Sequence, residues 1–382
     1  MPIKVLHLIT KLEFGGAQSN TIYTVSHLDS ARFDVKLVAG PGGMLDEKVP
    51  PGLLIRARRL ARSINPLNDL LAFFELRGMI RSQAPAIVHT HSSKAGILGR
   101  LAARSAGVPV IVHTFHGFGF HERQHPLKKR FFILLERFCA LFSDALIFVS
   151  DANLEYARDY GLCEAADCSI IRSGIPLGNY PARQDRAAKR RELGVPGDAL
   201  LIVSIANMKP QKNPAHFIAA AKRLIGTGRN AVFMLVGGGE GLEAARAGAK
   251  EAGLEQRLLF PGWRGDSAGI LAAADIFALT SLWEGLPRSL VEAMRTGLPS
   301  ICYKTDGVAD LLYDGVNGYA VEPGNIDAFC LRLGELIDEP ARRAEMAKAA
   351  ADTDLAEFDI DHMVRQQEEL YSELLKKKGI TQ

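Results

Sequence analysis

Two carboxylates and a glycine stand close together in SLWEGLPRSLVEAMRTGLP, residues 281–299. Glu284 falls where the pattern reads as a tight turn after a strand, and Glu292 falls more than one turn inside the helix that follows. Gly285 admits backbone angles closed to other residues, and Pro287 has the fixed φ suited to the first helical position. The amides of Leu286 and Arg288 are then expected at the positive end of the helix dipole, a seat for an anion. Carboxylates repel phosphate but accept hydrogen bonds from sugar hydroxyls, so carboxylates flanking that seat select a ligand that carries both groups. The Arg288 side chain, beside the seat, is open to the phosphate or to a second substrate.

Other loops offer matching chemistry. In NMKPQKN (207–213), Lys209 and Lys212 follow a strand, and two ammonium groups converging there would neutralise a diphosphate as point charges. LVGGGEG (235–241), centred on Gly238, lets backbone approach a ligand closely. PGWRGD (261–266) adds Trp263 as a flat wall for a nucleobase, with Arg264 beside it; a glycine turn and a packing tryptophan are the plain alternative. Near the start, KLEFGGAQSN sets Gly15 and Gly16 ahead of a helix. The spacing departs from G-x-G-x-x-G, which leaves a tight turn or close approach to phosphate or sugar. Histidines gather in His89-Thr90-His91 and in HTFHGFGFHERQH, which holds His113, His116, His121 and His125. None has zinc-protease or Cys/His ligand spacing, so facing a substrate is the better use, and His116 before Gly117 is best placed.

The elements that must carry these loops follow from the hydrophobic pattern. Short apolar runs (VLHLI, VKLVA, AIVHTH, VPVIVHT, ALIFVS, CSIIRSGI) alternate with helical stretches, which implies parallel strands with crossover helices. Residues 176–198, with three prolines and a charge run, read as an interdomain connection. The alternation then restarts with ALLIVSIA, AVFMLVG, RLLF, ADIFALT and PSICYK, giving a second doubly wound half. A length of 382 residues with 47% hydrophobic content fits two cores. With 46 basic against 43 acidic residues, net +3, no nucleic-acid partner is indicated. Five cysteines with no C-x-x-C pair point to free thiols in a reducing cytosol. The apolar N-terminal run is too short for a secretory core and is expected to be the first strand. RQHPLKKRFFILLERFCALF (123–142) pairs Lys128, Lys129, Arg130 and Arg137 with an apolar face, either for an anionic bilayer surface or for the core.

EGLPRSLVEAM, with Glu284 and Glu292 in E-x7-E spacing, resembles the signature of retaining GT-B glycosyltransferases of glycosyltransferase family 4. FGGAQ, VHTHSSKAGILGR, the His116 loop, QKN, GGGEG and DGVNGYAVEPGN follow in that family's order. HTHSSKAGILGRLAA with VIVHTFHGFGFHE is similar to the branch that builds bacterial surface polysaccharides, lipopolysaccharide among them. The resemblance implies an α/β GT-B fold, two Rossmann-like doubly wound domains facing across a cleft. Residues 1–180 would bind the acceptor, with a final helix at 361–378 packing back on them, and residues 195–360 would bind the nucleotide sugar. Glu292 is then expected on the ribose hydroxyls, Glu284 on the donor sugar, the amides after Gly285 on the diphosphate, Lys212 on phosphate, and Gly16 and His116 in loops that close over the sugar. His116, Lys212 and Glu284 would carry the chemistry. Asn207, Lys209, Gly238, Trp263, Arg264, Gly285, Leu286 and Arg288 would help hold the donor.

Two positions depart from the family pattern. Asn207 replaces a usual arginine, with Lys209 as a substitute charge, and Asp306-Gly307 replaces a glycine pair. The D-x-D strings at 352–354 and 359–361 fall in the crossover segment, so no metal and no cofactor are expected. The resemblance further implies a UDP-linked hexose or N-acetylhexosamine as donor, a glycan or polyprenyl-linked acceptor, and a cytoplasmic enzyme in peripheral contact with the inner face of the membrane through 123–142. The rival readings are a degenerate transferase that binds a nucleotide sugar or regulates a partner, and a GT-B epimerase.

Overall fold

The computed structural model describes residues 1–120, 124–180 and 186–380; His121 lies outside them. The chain divides into two units, Met1–Gly174 with Glu357–Gln382, and Ile175–Ala356.

In the first unit, strands β1 (Ile3–Ile9), β2 (Phe33–Ala39), β3 (Leu54–Arg56), β4 (Ile87–His91), β5 (Val110–Phe115), β6 (Ala145–Phe148) and β7 (Asp167–Ile170) alternate with helices α1 (Gly16–His27), α2 (Pro66–Gln83), α3 (Ser93–Ala106), α4 (Pro126–Ala140) and α5 (Asp151–Asp159). All pairings are parallel, in the order β3-β2-β1-β4-β5-β6-β7. The order reverses between β1 and β4, and ligands of such sheets bind at the carboxyl ends of the strands that flank the reversal.

The second unit holds α6 (Arg186–Glu192), β8 (Leu200–Ile205), α7 (Pro214–Gly226), β9 (Ala231–Val236), α8 (Leu242–Glu251), β10 (Leu258–Gly262), α9 (Ser267–Ala273), β11 (Ile276–Leu279), α10 (Arg288–Arg295), β12 (Ser300–Tyr303), β13 (Gly318–Val321), α11 (Ile326–Asp338) and α12 (Pro340–Ala351). Its order is β10-β9-β8-β11-β12-β13, again parallel, with the reversal between β8 and β11. β3 and β13, of three and four residues, are strands that the apolar runs did not mark.

The last helix, α13 (Ile360–Lys377), belongs to the first unit. Ile360, Met363, Val364, Tyr371, Leu374 and Leu375 join the core formed by β1, β2 and α1. The entry is tight: a Cβ on Gly174 would lie 2.4 Å from Ile360 Cα. Asp359 caps the helix by accepting from the Asp361 and His362 amides, and Asp361 accepts from the Tyr23 hydroxyl. The second D-x-D string is thus occupied in holding α13, and Asp352 of the first pairs with Lys348.

Several expectations from sequence are corrected. The units divide at Gly174/Ile175, so α6 and the rest of 176–198 lie within the second. Arg190 of α6 is buried and donates to Asp275, Ala273 O, Pro196 O and Ala199 O, so this member of the charge run is fixed by one buried carboxylate and by carbonyls of the end of α9 and of the loop before β8. The cysteines are not all free: Cys163 and Cys168 are joined by a disulfide, because the turn before β7 folds back and brings their Cα atoms to 5.6 Å. Cys139, Cys302 and Cys330 are free and buried. The stripe Leu127, Phe131, Leu134, Phe138 and Leu141 on and just after α4 is exposed rather than packed in the core. α4 turns Cys139, Ala140 and the Glu136 carboxylate inward instead, and Glu136 accepts from the fully buried Arg100 of α3.

Candidate active site

At the β8/β11 reversal, the loops that follow the two strands are tied together. Gln211 Nε2 donates to Trp283 O at 2.9 Å and Leu282 N donates to Gln211 O at 2.8 Å. Thr280 Oγ1, at the end of β11, donates to Asn213 O at 3.0 Å. Across this seam the Lys212 ammonium donates to the Glu284 carboxylate, whose side chain is only 6% exposed. The pair therefore stands ready-made at the strand ends. The loop after β12 packs on the same turn: Gly307 N donates to Gly285 O at 3.1 Å, and a Cβ on Gly307 would lie 2.3 Å from that oxygen. Of the Asp306-Gly307 pair, only glycine fits the second place.

Pro287 does not occupy the first helical position. It is the N-cap residue of α10, extended at φ −76° and ψ 92°, and its carbonyl accepts from Leu290 N at 2.9 Å. Its fixed φ suits either place, and the cap is the place its ψ allows. Glu292, 9% exposed, lies inside α10 near the Tyr180 hydroxyl, which meets Ser267 Oγ at 3.4 Å. Burial pushes its carboxyl up from the ordinary range, with the Arg288 guanidinium and the Tyr180 hydroxyl pulling it back.

The glycine turn and the tryptophan meet directly. A Cβ on Gly238 would lie 2.4 Å from Trp263 Nε1, and Gly237 and Gly239 adopt φ values of +145° and +143° that side chains avoid. Met208 N donates to Gly238 O at 2.9 Å, so the Asn207–Lys209 loop lies against this turn. Arg264 sits at the outer rim, paired with Asp266 and Glu192 at 2.6 Å. Among the described residues, buried polar atoms without a protein partner include Asn207 Oδ1, Ser281 Oγ and Thr305 Oγ1. They follow β8, β11 and β12, three adjacent strands, where a ligand would satisfy them.

At the β1/β4 reversal of the first unit the chemistry differs. His89, His91 and His113 were expected after their strands, but they lie within β4 and β5 and are buried, as is His7 of β1. Register sets His7 beside His89 and Thr90 beside His113. His7 Nδ1 and His91 Nε2 are 3.0 Å apart, and His91 Nδ1 and His116 Nε2 3.1 Å. His89 contacts Tyr371 Oη of α13 at 2.5 Å and Thr114 Oγ1 at 2.7 Å. Burial lowers the pKa of His7 to about 3 and pushes His89, His91 and His113 well below the ordinary range, neighbouring imidazoles and Arg100 adding to the effect. His116 and His91 line a small pocket with Asn20, Thr114, Ser173 and Gln367. Gly16 opens α1, with Gly15 as its N-cap residue. His125 is the exposed N-cap of α4.

The structure thus gathers Lys212, Glu284, Gly285 and Leu286 at one reversal and His116 with three further histidines at the other. Sequence reasoning missed Tyr180 and Tyr371, which reach Glu292 and His89 from distant segments, and it missed His7, whose position within a strand gave no loop signal.

Two doubly wound parallel sheets, each with one reversal of strand order, are the architecture of GT-B glycosyltransferases. HepE of Anabaena, solved in complex with UDP and glucose, superposes with a TM-score of 0.79 at 22% identity, over 97% of this chain and 100% of that one. Sucrose-phosphate synthase of Thermosynechococcus elongatus gives 0.82 at 18% identity, over 98% and 100%. The family model described as Glycosyltransferase Family 4 matches residues 14–179, and that described as Glycosyl transferases group 1 matches 185–353. An Escherichia coli protein named UDP-Gal:alpha-D-GlcNAc-diphosphoundecaprenol alpha-1,3-galactosyltransferase is 32% identical over 383 residues, 98% of each chain. The Campylobacter jejuni N,N'-diacetylbacillosaminyl-diphospho-undecaprenol alpha-1,3-N-acetylgalactosaminyltransferase is 26% identical over 328 residues, 82% of this chain and 84% of its own. The chain belongs to glycosyltransferase family 4 and is a glycosyltransferase.

Proposed function

We propose that this enzyme transfers a hexose or N-acetylhexosamine from a UDP-sugar to a polyprenyl-diphosphate-linked glycan, with retention of anomeric configuration and without a metal ion. The observation that carries the reading is the Lys212–Glu284 pair at the β8/β11 reversal, beside the start of α10. The E. coli and C. jejuni relatives, both named for diphosphoundecaprenol-linked acceptors, support the acceptor class.

In this reading Glu284 holds the Lys212 ammonium in place before the donor arrives. The diphosphate then takes that cation as counter-charge, while the Glu284 carboxylate turns to hydroxyls of the donor sugar. As the glycosidic bond breaks, charge grows on the leaving diphosphate, and Lys212, Lys209 and the α10 amides stabilise it without reorganising. The departing phosphate oxygen takes the proton of the attacking acceptor hydroxyl on the same face of the sugar. Glu292 holds the ribose, and His116 orients the transferred sugar. Gly16, Gly238, Trp263, Arg264 and Asn207 complete the donor contacts.

Purified protein given a panel of UDP- and GDP-sugars with polyprenyl-diphosphate-linked N-acetylglucosamine should form a glycosylated lipid, detected by mass spectrometry, with the new linkage α by NMR. Full transfer by both Lys212→Ala and Glu292→Ala would place the site elsewhere. Unchanged transfer in excess chelator supports the metal-free mechanism, and abolition overturns it.

The exposed stripe on α4 and the exposed Leu67, Leu70, Leu71 and Phe74 of α2 lie on two helices that both pack against α3. With Lys128, Arg130 and Arg137 alongside, they suit an anionic bilayer, each cation adding about 1 kcal/mol near the surface. The enzyme would then meet its lipid acceptor at the inner face of the membrane. Among the described residues no helix is long and apolar enough to cross one. Changing Lys128, Lys129 and Arg130 to Glu should abolish co-sedimentation with anionic vesicles; unchanged binding would count against this surface.

A further inference from the structure

A line of polar side chains runs through the first unit from α13 to His116. Tyr371 Oη lies 2.5 Å from His89 Nδ1 and 3.3 Å from His7 Nε2. His7 Nδ1 lies 3.0 Å from His91 Nε2, and His91 Nδ1 lies 3.1 Å from His116 Nε2. On the other side of the phenol, His89 Nε2 meets Thr114 Oγ1 at 2.7 Å. A neutral imidazole has one N–H and one bare nitrogen, so each ring passes the polarity of one bond on to the next. Burial keeps the rings of His7, His89 and His91 neutral.

The Tyr371 hydroxyl has a single proton to give, and two arrangements satisfy every contact. In the first it donates to His89 Nδ1, and His89 donates from Nε2 to Thr114. The phenol oxygen then accepts from His7 Nε2, His7 Nδ1 accepts from His91 Nε2, and His91 Nδ1 accepts from His116 Nε2. His116 Nδ1 is left as the acceptor nitrogen. In the second arrangement every bond is reversed, and His116 Nδ1 carries the proton. In the first, the hydroxyl donates across the shorter contact at the phenol, to His89, and accepts across the longer one, from His7.

We propose that Tyr371, His7 and His91 are positioning residues that hold His116 in its Nε2–H tautomer, so that its Nδ1 accepts a hydrogen bond from a neutral hydroxyl of the substrate. The role of the hydroxyl rests on the proposed function; the tautomer does not. Sugar hydroxyls can give or take a hydrogen bond, and a fixed acceptor makes one choice for them. The imidazoles of His7, His89 and His91 also stand near enough to share one cation. That use would take the same nitrogens as the hydrogen bonds, so the two exclude each other.

Long-range nitrogen–proton NMR of the histidine rings in the full chain without substrate should show His7, His89, His91 and His116 as Nε2–H tautomers. Tyr371→Phe keeps the ring and removes the proton, and it should give His116 a mixture of tautomers. The same variant should lower kcat/KM about 3–10-fold, the worth of one hydrogen bond. This loss should vanish in a His116→Ala background, since Tyr371 acts through His116. Nδ1–H at His116 in the unmodified protein, an additive double-mutant cycle, or a bound metal equivalent lost on His89→Ala would each overturn the relay. If Tyr371→Phe does not fold, the spectrum of the unmodified protein still decides. Full transfer by His116→Ala with the tautomers as stated would instead remove His116 from the reaction and leave the relay standing.

Discussion

The two sheets share one topology, yet their reversals are furnished in opposite ways. Between β8 and β11 stand an ammonium, partly exposed, and a buried carboxylate joined to it. Between β1 and β4 stand imidazoles that burial keeps neutral. A formal charge at a strand end suits a phosphate, whose charge grows during the reaction. A line of neutral rings cannot supply charge, but it can fix which atom donates and which accepts. One frame thus prepares electrostatics in one copy and hydrogen-bond polarity in the other.

The contrast is most exposed to acid. For His7, His89, His91 and His113 the folded pKa is depressed, so below about pH 6.5 the unfolded chain binds more protons than the native one. The stability they contribute is fully present above that pH and is lost as pH falls toward the folded values, about 3 for His7. Each proton taken up on unfolding costs about 1.4 kcal/mol per pH unit. Denaturant midpoints should therefore drop steeply between pH 6.5 and 5, and His113→Asn should flatten the slope. Glu292 has the opposite sign: its raised pKa gives stability at low pH that is lost as pH rises through the folded value, so Glu292→Gln should be more stable at neutral pH. A midpoint flat down to pH 5 would remove the contrast between the sheets.

Removing the charge on the other side comes next in size. Lys212→Ala should lower kcat about 10²–10³-fold, the usual cost of losing a group that stabilises a leaving oxygen; steady-state transfer assays decide it, and an effect confined to KM would make Lys212 a plain binding residue. Glu292→Gln should raise the donor KM about 10-fold, in line with one hydrogen bond made by a charged group, with donor affinity read by thermal shift. The smallest effect is expected from Gly238→Ala. The new methyl meets the Trp263 ring at 2.4 Å, and overpacking of this kind costs about 1–3 kcal/mol of stability. A neutral result would mean that the ring moves freely.

How far the site could be read from sequence differs between the units for the same reason. In the second, Glu284, Gly285 and Glu292 lie within one turn and helix, and local spacing carries the meaning. That Lys212 would pair with Glu284 needed β8 and β11 to be neighbours, which only the reversal of strand order provides. In the first, strict alternation made the parallel sheet readable, yet His7 and His89 look like ordinary strand residues until register sets them side by side. Tyr371 lies 282 positions from His89, and no local pattern points from one to the other. The apolar stripe on α4 showed its period but not its direction, because a helical period is the same whether the face is buried or bare.

The return of α13 bears on how the chain is made. Tyr371, Leu374 and Leu375 fill the same core as Val5 and Ile9, so the first sheet cannot close its core until α13, which follows the whole second unit in sequence, has been made. The unit that begins first finishes second. Through that interval its histidines face water and its apolar core stands open, the condition in which aggregation competes with folding.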